Sequence, residues 1–92
     1  MPFIYGYFDL ITFLRDDFNE RKTKNSYYSL RAMAEKLKLN SGTVVRIMNG
    51  DRNVSKNLLP VFIEYLGLRQ KEAEYFKHLV NLDKIRKYNA VN

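Results

Sequence analysis

The sequence contains no cysteine. That excludes disulfides, thiolate metal sites and cysteine nucleophiles together, and it fits a reducing cytosol. There is one histidine, His78, and a lone imidazole without a second ligand reads as a surface or boundary residue, not a metal site. No Gly-rich phosphate loop, no HExxH helix and no Ser/His/Asp set that can be placed is present, so neither catalysis nor a resident metal or cofactor is expected. No segment reaches the roughly 20 apolar residues needed to cross a bilayer. Met1-Pro2-Phe3 has no basic lead and no long apolar run follows it, unlike a secretory signal. Repeats, low-complexity tracts and linkers are missing as well. The expectation is a soluble, cytoplasmic, non-enzymatic protein whose residues 1–92 form one domain.

What is present is apolar and basic. Hydrophobic residues make up 46% of the chain, with seven tyrosines and six phenylalanines. Small domains are marginally stable, so most of these rings are expected inside. The net charge is +6 and the pI is near 9.7, which favours an anionic partner, nucleic acid before an acidic membrane surface. The charges are unevenly placed. Asp9, Asp16, Asp17 and Glu20 come early. Arg21, Lys22, Lys24, Arg31, Lys36 and Lys38 then stand against Glu35 alone, and Arg46, Arg52 and Lys56 continue the bias. Asp16 and Asp17 are helix neighbours that do not face one another, so they suggest no catalytic pair. A basic face is often only solvated. What gives this one weight is the helical pair it surrounds.

Apolar periodicity predicts five helices and no strands: an all-α, compact five-helix bundle with an apolar N-terminal arm over residues 1–8. The first helix runs from about Asp9, its N-cap, to Lys24, with Leu10, Phe13 and Leu14 inward and bases at its C-terminal end, as the helix dipole prefers. Helix two spans about Leu30–Leu37 with Ser29 as cap. Helix three spans about Ser41–Met48, capped by Asn40 or Ser41 and closed by Gly50 in a left-handed conformation. Helix four runs from about Lys56 to Leu66 with Ser55 as cap, or, because Pro60 is tolerated only in a first turn, starts late near Asn57 or Leu58 or is bent. Helix five covers about Gln70–Lys87, with Ala73, Phe76, Leu79 and Val80 inward and a frayed tail from Tyr88 to Asn92. Tyr27 and Tyr28 are expected to pack at the junction of helices one and two.

Residues 29–50, SLRAMAEKLKLNSGTVVRIMNG, carry the most information. Met33 and Leu37, then Leu39, then Val44 and Ile47 fall where two short crossing helices need apolar contacts, and Ala34 is small at the crossing. The outward side of helix three holds Ser41, Thr43, Arg46 and Asn49. A short helix, apolar on one side and dressed with hydrogen-bonding groups on the other, suits a DNA major groove.

These residues resemble a known family. Helices two to four are similar to the lambda-repressor-like (Xre-type) helix-turn-helix fold. Asn49-Gly50, then Arg52-Asn53-Val54-Ser55 and the closing Leu66-Gly67-Leu68 match its usual NG-x-RNPS … LG(V/L) run. Over nearly the whole chain, Phe13-Leu14-Arg15-Asp16, Glu20-Arg21-Lys22, Tyr28-Ser29-Leu30-Arg31-Ala32, Glu74-Tyr75-Phe76 and Leu79-Val80-Asn81 resemble the N-terminal domain of a group of uncharacterised bacterial proteins. Those proteins carry a larger C-terminal domain of unknown function, so the resemblance implies that such a domain is missing here. It also implies DNA contact by Ser41, Gly42, Thr43, Arg46 and Asn49. Two residues depart from the pattern. Lys38 stands where the turn usually has glycine, at a cost of about 1 kcal/mol if it is left-handed, which predicts a reshaped turn. Leu30 replaces the polar residue that often begins helix two, which weakens base contact from that helix and leaves Arg31 to reach a phosphate.

The implied function is sequence-specific binding of double-stranded DNA by a bacterial transcriptional regulator. Arg46 is the main anchor, on a guanine edge or a phosphate. Ser41 and Thr43 either cap the helix or meet a phosphate at its N-terminus, and Asn49 either bonds an adenine edge or ends the helix. Gly42 either permits close approach to a sugar or base or is a glycine kept near the cap for backbone reasons. Arg31, Lys38, Arg52, Asn53 and Lys56 would supply contacts to the backbone that weaken with salt. A homodimer is expected, because one short reading head makes few base contacts. The rival reading is a protein–protein interaction or dimerisation module that has kept the helix-turn-helix shape.

Overall fold

Side chains that can accept a hydrogen bond stand just before three of the helices and start them. The computed structural model describes residues 1–91 as a short 3-10 turn (Ile4–Gly6) and five α-helices: α1 Leu10–Lys24, α2 Leu30–Leu37, α3 Ser41–Met48, α4 Leu59–Leu66 and α5 Gln70–Val91; no strand occurs among the described residues. Asp9 accepts from the Thr12 N–H at 2.8 Å, Ser29 from the Ala32 N–H at 3.1 Å and Asn40 from the Thr43 N–H at 2.7 Å. Each satisfies an amide that the first turn of a helix leaves free. Asn40, not Ser41, is therefore the cap of α3. At α5 the Glu72 carboxylate reaches back to the Arg69 N–H at 2.9 Å.

Ser55 does not cap α4. Its carbonyl accepts from the Leu58 and Leu59 amides at 2.9 and 3.2 Å, making a separate turn. The helix starts only at Leu59, with Pro60 in its first turn, where a missing N–H does no harm. At the other end of the chain, α5 continues past the expected fraying point at Tyr88 through Val91; Asn92 lies outside the described residues. Its late turns are held in place: Lys87 pairs with Asp83 at 2.8 Å and donates to Asn53 Oδ1 at 2.9 Å.

Three helices end in the same way. After α2 the Lys38 N–H bonds the Glu35 carbonyl and the Leu39 N–H bonds Ala34. After α3 Gly50 bonds Ile47 and Asp51 bonds Arg46. After α4 Gly67 bonds Glu64 and Leu68 bonds Ile63. This double closure requires one left-handed residue. Gly50 and Gly67 supply it with φ of 80° and 69°, and Lys38 does so with φ of 57°. The turn between α2 and α3 is not reshaped. Lysine adopts the conformation glycine would have.

The core is one contiguous cluster fed by the 3-10 turn, all five helices and the loop residues Tyr28 and Val54. Phe13, Phe62 and Phe76 are fully buried, with Phe76 at 6.4 Å from the Phe13 ring and 6.2 Å from the Phe62 ring. α2 packs on α3 and α4, α1 on α3 and α5, and α4 on α5. The radius of gyration is 12.8 Å, close to the roughly 12 Å expected of a compact chain of this length. Ile4 is wholly buried and the Tyr75 hydroxyl donates to the Tyr7 carbonyl, so the arm is fastened to α5, though Phe3 and Phe8 stay exposed. Tyr28 packs at the α1–α2 junction as expected, whereas Tyr27 is 92% exposed. The turn at Asn25, closed by the Tyr28 N–H at 2.9 Å, sends the two adjacent rings in different directions.

A buried polar brace ties α1 to α4. Asp17, 2% exposed, accepts from Arg21 Nε at 2.8 Å. Arg21 Nη2 donates to the Tyr65 carbonyl at 3.0 Å and the guanidinium lies over the Tyr65 ring. Burial alone would pull the Arg21 pKa down, but the hydrogen bond and charge of Asp17 outweigh it and hold the guanidinium ionised. Burial, reinforced by the hydrogen bond with Tyr28, pushes the Tyr65 hydroxyl well above its ordinary range. No helix among the described residues is long and apolar enough to cross a membrane.

Candidate nucleic-acid interface

α3 divides cleanly into two sides. Thr43, Val44, Ile47 and Met48 are buried; Ser41, Gly42, Val45, Arg46 and Asn49 are exposed. At 100° per residue the exposed set spans a continuous arc of about 140°. Three of its members are polar, one is glycine and one is apolar. None of the three polar side chains is bonded to another part of the chain among the described residues.

Neighbours fix the posture of this helix from three directions. Asn40 caps its start. At its other end Arg15, on α1, donates Nε to the Met48 carbonyl at 3.1 Å, placing a cation at the negative end of the helix dipole. On its flank Arg52 Nη1 donates to Thr43 Oγ1 at 3.4 Å, a long and weak bond that draws the following loop toward the first turn.

The structure sorts the candidate residues. Ser41, Gly42, Arg46 and Asn49 share the open arc. A Cβ on Gly42 would meet only Asn40 Oδ1, at 3.4 Å, so the protein's own packing does not demand a glycine there. Thr43 is not on the open arc: it is 8% exposed, because it falls at the edge of the side that holds Val44 and Ile47 against α2. Its role is to bind Asn40 and Arg52, and it is withdrawn from the set that faces outward. The ending of α3 belongs to Gly50, which leaves the Asn49 side chain unengaged. Arg31 is exposed on the first turn of α2. Arg52 is exposed beside α3, whereas Asn53 is engaged by Lys87 of α5. Lys38 lines a groove with Lys36, Leu58, Val61 and Glu64, between α2 and α4. Lys56 lines another, along α4.

Compared with known proteins, the chain matches no family model, no curated protein and no solved structure. The residues themselves therefore carry the functional argument.

Val45 escaped the sequence reading. It is 37% exposed and lies at the middle of the arc, four residues from both Ser41 and Asn49. Its spacing could have revealed it, but a valine beside Val44 reads as core. Arg15 escaped because its partner is 33 residues away. Electrostatically the arc carries Arg46, Arg52 reaches it through Thr43, and the following loop adds the exposed Asp51. No group of His, Asp and Glu among the described residues is arranged to hold a metal ion. Chemically the arc offers a hydroxyl, a carboxamide, a guanidinium and an apolar patch. Those are hydrogen-bonding and methyl-contacting groups, without a nucleophile–base pair.

Proposed function

We propose that the chain is a lambda-repressor-like helix-turn-helix domain that binds double-stranded DNA, with α3 in the major groove, and that it serves a transcriptional regulator. The observation that carries this reading is the uncovered arc of α3. A helix about 10–12 Å across matches a major groove about 12 Å wide. Arg46 can bond a guanine edge bidentately, Asn49 can bond an adenine edge, and Val45 can meet a thymine methyl. Ser41 and the first amides of α3 can hold a phosphate, since the cap side chain takes only the Thr43 N–H. Arg31 and Arg52 supply phosphate contacts that position the domain without reading sequence.

The test is selection from a random duplex library at two salt concentrations, followed by titration of the winning site with Arg46→Ala and Asn49→Ala proteins. A base contact by Arg46 predicts a loss of about 1–3 kcal/mol and relaxed preference at one position. A phosphate contact predicts a uniform loss and a salt slope shallower by about one. No enriched sequence, or unaltered affinity in a folded Arg46→Ala/Asn49→Ala double variant, would remove the proposal. Thr43→Ala is a poor probe, because it disturbs the internal contacts of α3.

A further inference from the structure

Phe3 and Phe8 are 74% and 76% exposed, although rings of this size contribute most when buried. Both belong to the arm, which lies along α5. At one end the Phe3 ring meets the Tyr5 ring at 5.4 Å, and Tyr5 meets Tyr75 at 5.3 Å. At the other end Arg86 donates to the Phe8 carbonyl at 2.8 Å and to Asp9 at 2.9 Å. Tyr75, Leu82 and Arg86 fall within about 40° of one another around the helix, and Ile85 lies about 60° to one side of Leu82. Leu82 and Ile85 are exposed as well. Arm and helix together present an apolar strip that the protein's own packing leaves uncovered, and such a strip marks an interaction surface.

The charge around this strip is of one sign. From Tyr75 to Val91, Lys77, Lys84, Arg86 and Lys87 stand against Asp83 alone. Asp83 is buried and paired with Lys87. Acids beside the arm are committed too: Asp9 to Arg86, Asp16 to the Tyr7 hydroxyl and Glu20 to the terminal amine. The exposed Glu74 precedes the strip. Lys77 and Lys84 form no ion pair among the described residues and border the strip on the side away from the arm.

We infer that this face docks on an anionic lipid surface. The arm rings, Leu82 and Ile85 enter the boundary between headgroups and acyl chains, and the flanking lysines meet the lipid charge. Aliphatic Leu82 and Ile85 offer nothing to a phosphate backbone, which sets this face apart from a second nucleic-acid site. Rings that stand out this far would need matched pockets on a protein partner, whereas a bilayer moulds to them. No residue of α3 takes part, so the inference stands whether or not α3 binds DNA.

The test is flotation of the full chain with vesicles of phosphatidylcholine containing about 30% phosphatidylglycerol, at about 0.15 M salt. The chain is expected to float with these vesicles and not with phosphatidylcholine alone. Phe3→Ser/Phe8→Ser lowers the partition about tenfold or more with an unchanged circular dichroism spectrum. Lys77→Ala/Lys84→Ala lowers it roughly fivefold per lysine. Lys36→Ala/Lys38→Ala removes the same charge from α2 and leaves it within about twofold. The chain has no tryptophan, so Phe8→Trp adds a single probe whose emission shifts to the blue when vesicles are added. Failure to float would leave the face to an acidic protein and overturn the inference. So would binding indifferent to Phe3→Ser/Phe8→Ser, the mere attraction of a basic chain, or an unshifted Phe8→Trp emission.

Discussion

Replacing Lys38 with glycine isolates the energy of a single backbone conformation. Lys38 sits at φ 57° and ψ 39°, is exposed and makes no ion pair, so truncating its side chain removes no bond. A non-glycine residue in this region is strained by about 1–2 kcal/mol. Glycine removes that strain but loses more backbone entropy on folding, roughly 0.5–1 kcal/mol. The net expectation for Lys38→Gly is a gain of about 0–1.5 kcal/mol, or a rise in Tm of up to about 12 °C. Gly67 provides the mirror experiment. It closes α4 with the same pair of hydrogen bonds, at φ 69°, and an added Cβ would meet nothing within 4 Å. Gly67→Ala should therefore lose stability through φ alone, by about the same amount. Urea unfolding monitored by circular dichroism measures both. A Lys38→Gly protein less stable than the parent, or a Gly67→Ala protein equal to it, would refute the reasoning.

Two further outcomes follow from the core and from the arm. Phe76 is wholly buried between two other phenylalanines, so Phe76→Ala should cost about 3–5 kcal/mol, enough to leave much of so small a domain unfolded at 37 °C in a thermal melt. The hydrogen bond from Tyr7 to Asp16, 2.6 Å long, together with burial, raises the Tyr7 pKa from 10.0 to about 12. A pKa raised in the folded state gives stability that is complete below pH 10 and lost as pH climbs toward 12. The stability difference between the parent and Tyr7→Phe should accordingly shrink across that window in urea titrations; a constant difference would contradict it.

The local signals were legible and the distant ones were not. Asp9, Ser29 and Asn40 could be read as caps because a cap and its amide are three residues apart, and α1, α2 and α3 followed from apolar spacing. Ser55 looks like a cap when only sequence is seen and is not one, whereas Pro60 pointed to a late start near Leu58, and the helix begins at Leu59. Lys38 was placed correctly at the turn, but its effect was overestimated: about 1–2 kcal/mol of strain is small beside the burial of Met33, Leu37, Val44 and Ile47, which holds α2 against α3. Within the candidate interface, helical spacing placed Ser41, Arg46 and Asn49 on the side that is exposed, and Gly42 entered only through the family resemblance. Thr43 was assigned to the wrong side because its hydroxyl suggested water, and Val45 was passed over because its methyls suggested the interior. Arg15 with Met48, Arg21 with Tyr65 and Lys87 with Asn53 join residues far apart in the chain, and no local pattern announces them.

The fastening of α3 by Asn40, Arg15 and Arg52 frees its outer positions from any duty to the fold. Ser41, Val45, Arg46 and Asn49 could be exchanged for other side chains with little loss of stability, and a better helix former at Gly42 would even strengthen the helix. The domain is thereby a ready chassis for diversification: its outward chemistry can drift, or be randomised in the laboratory, while the architecture that presents it stays put.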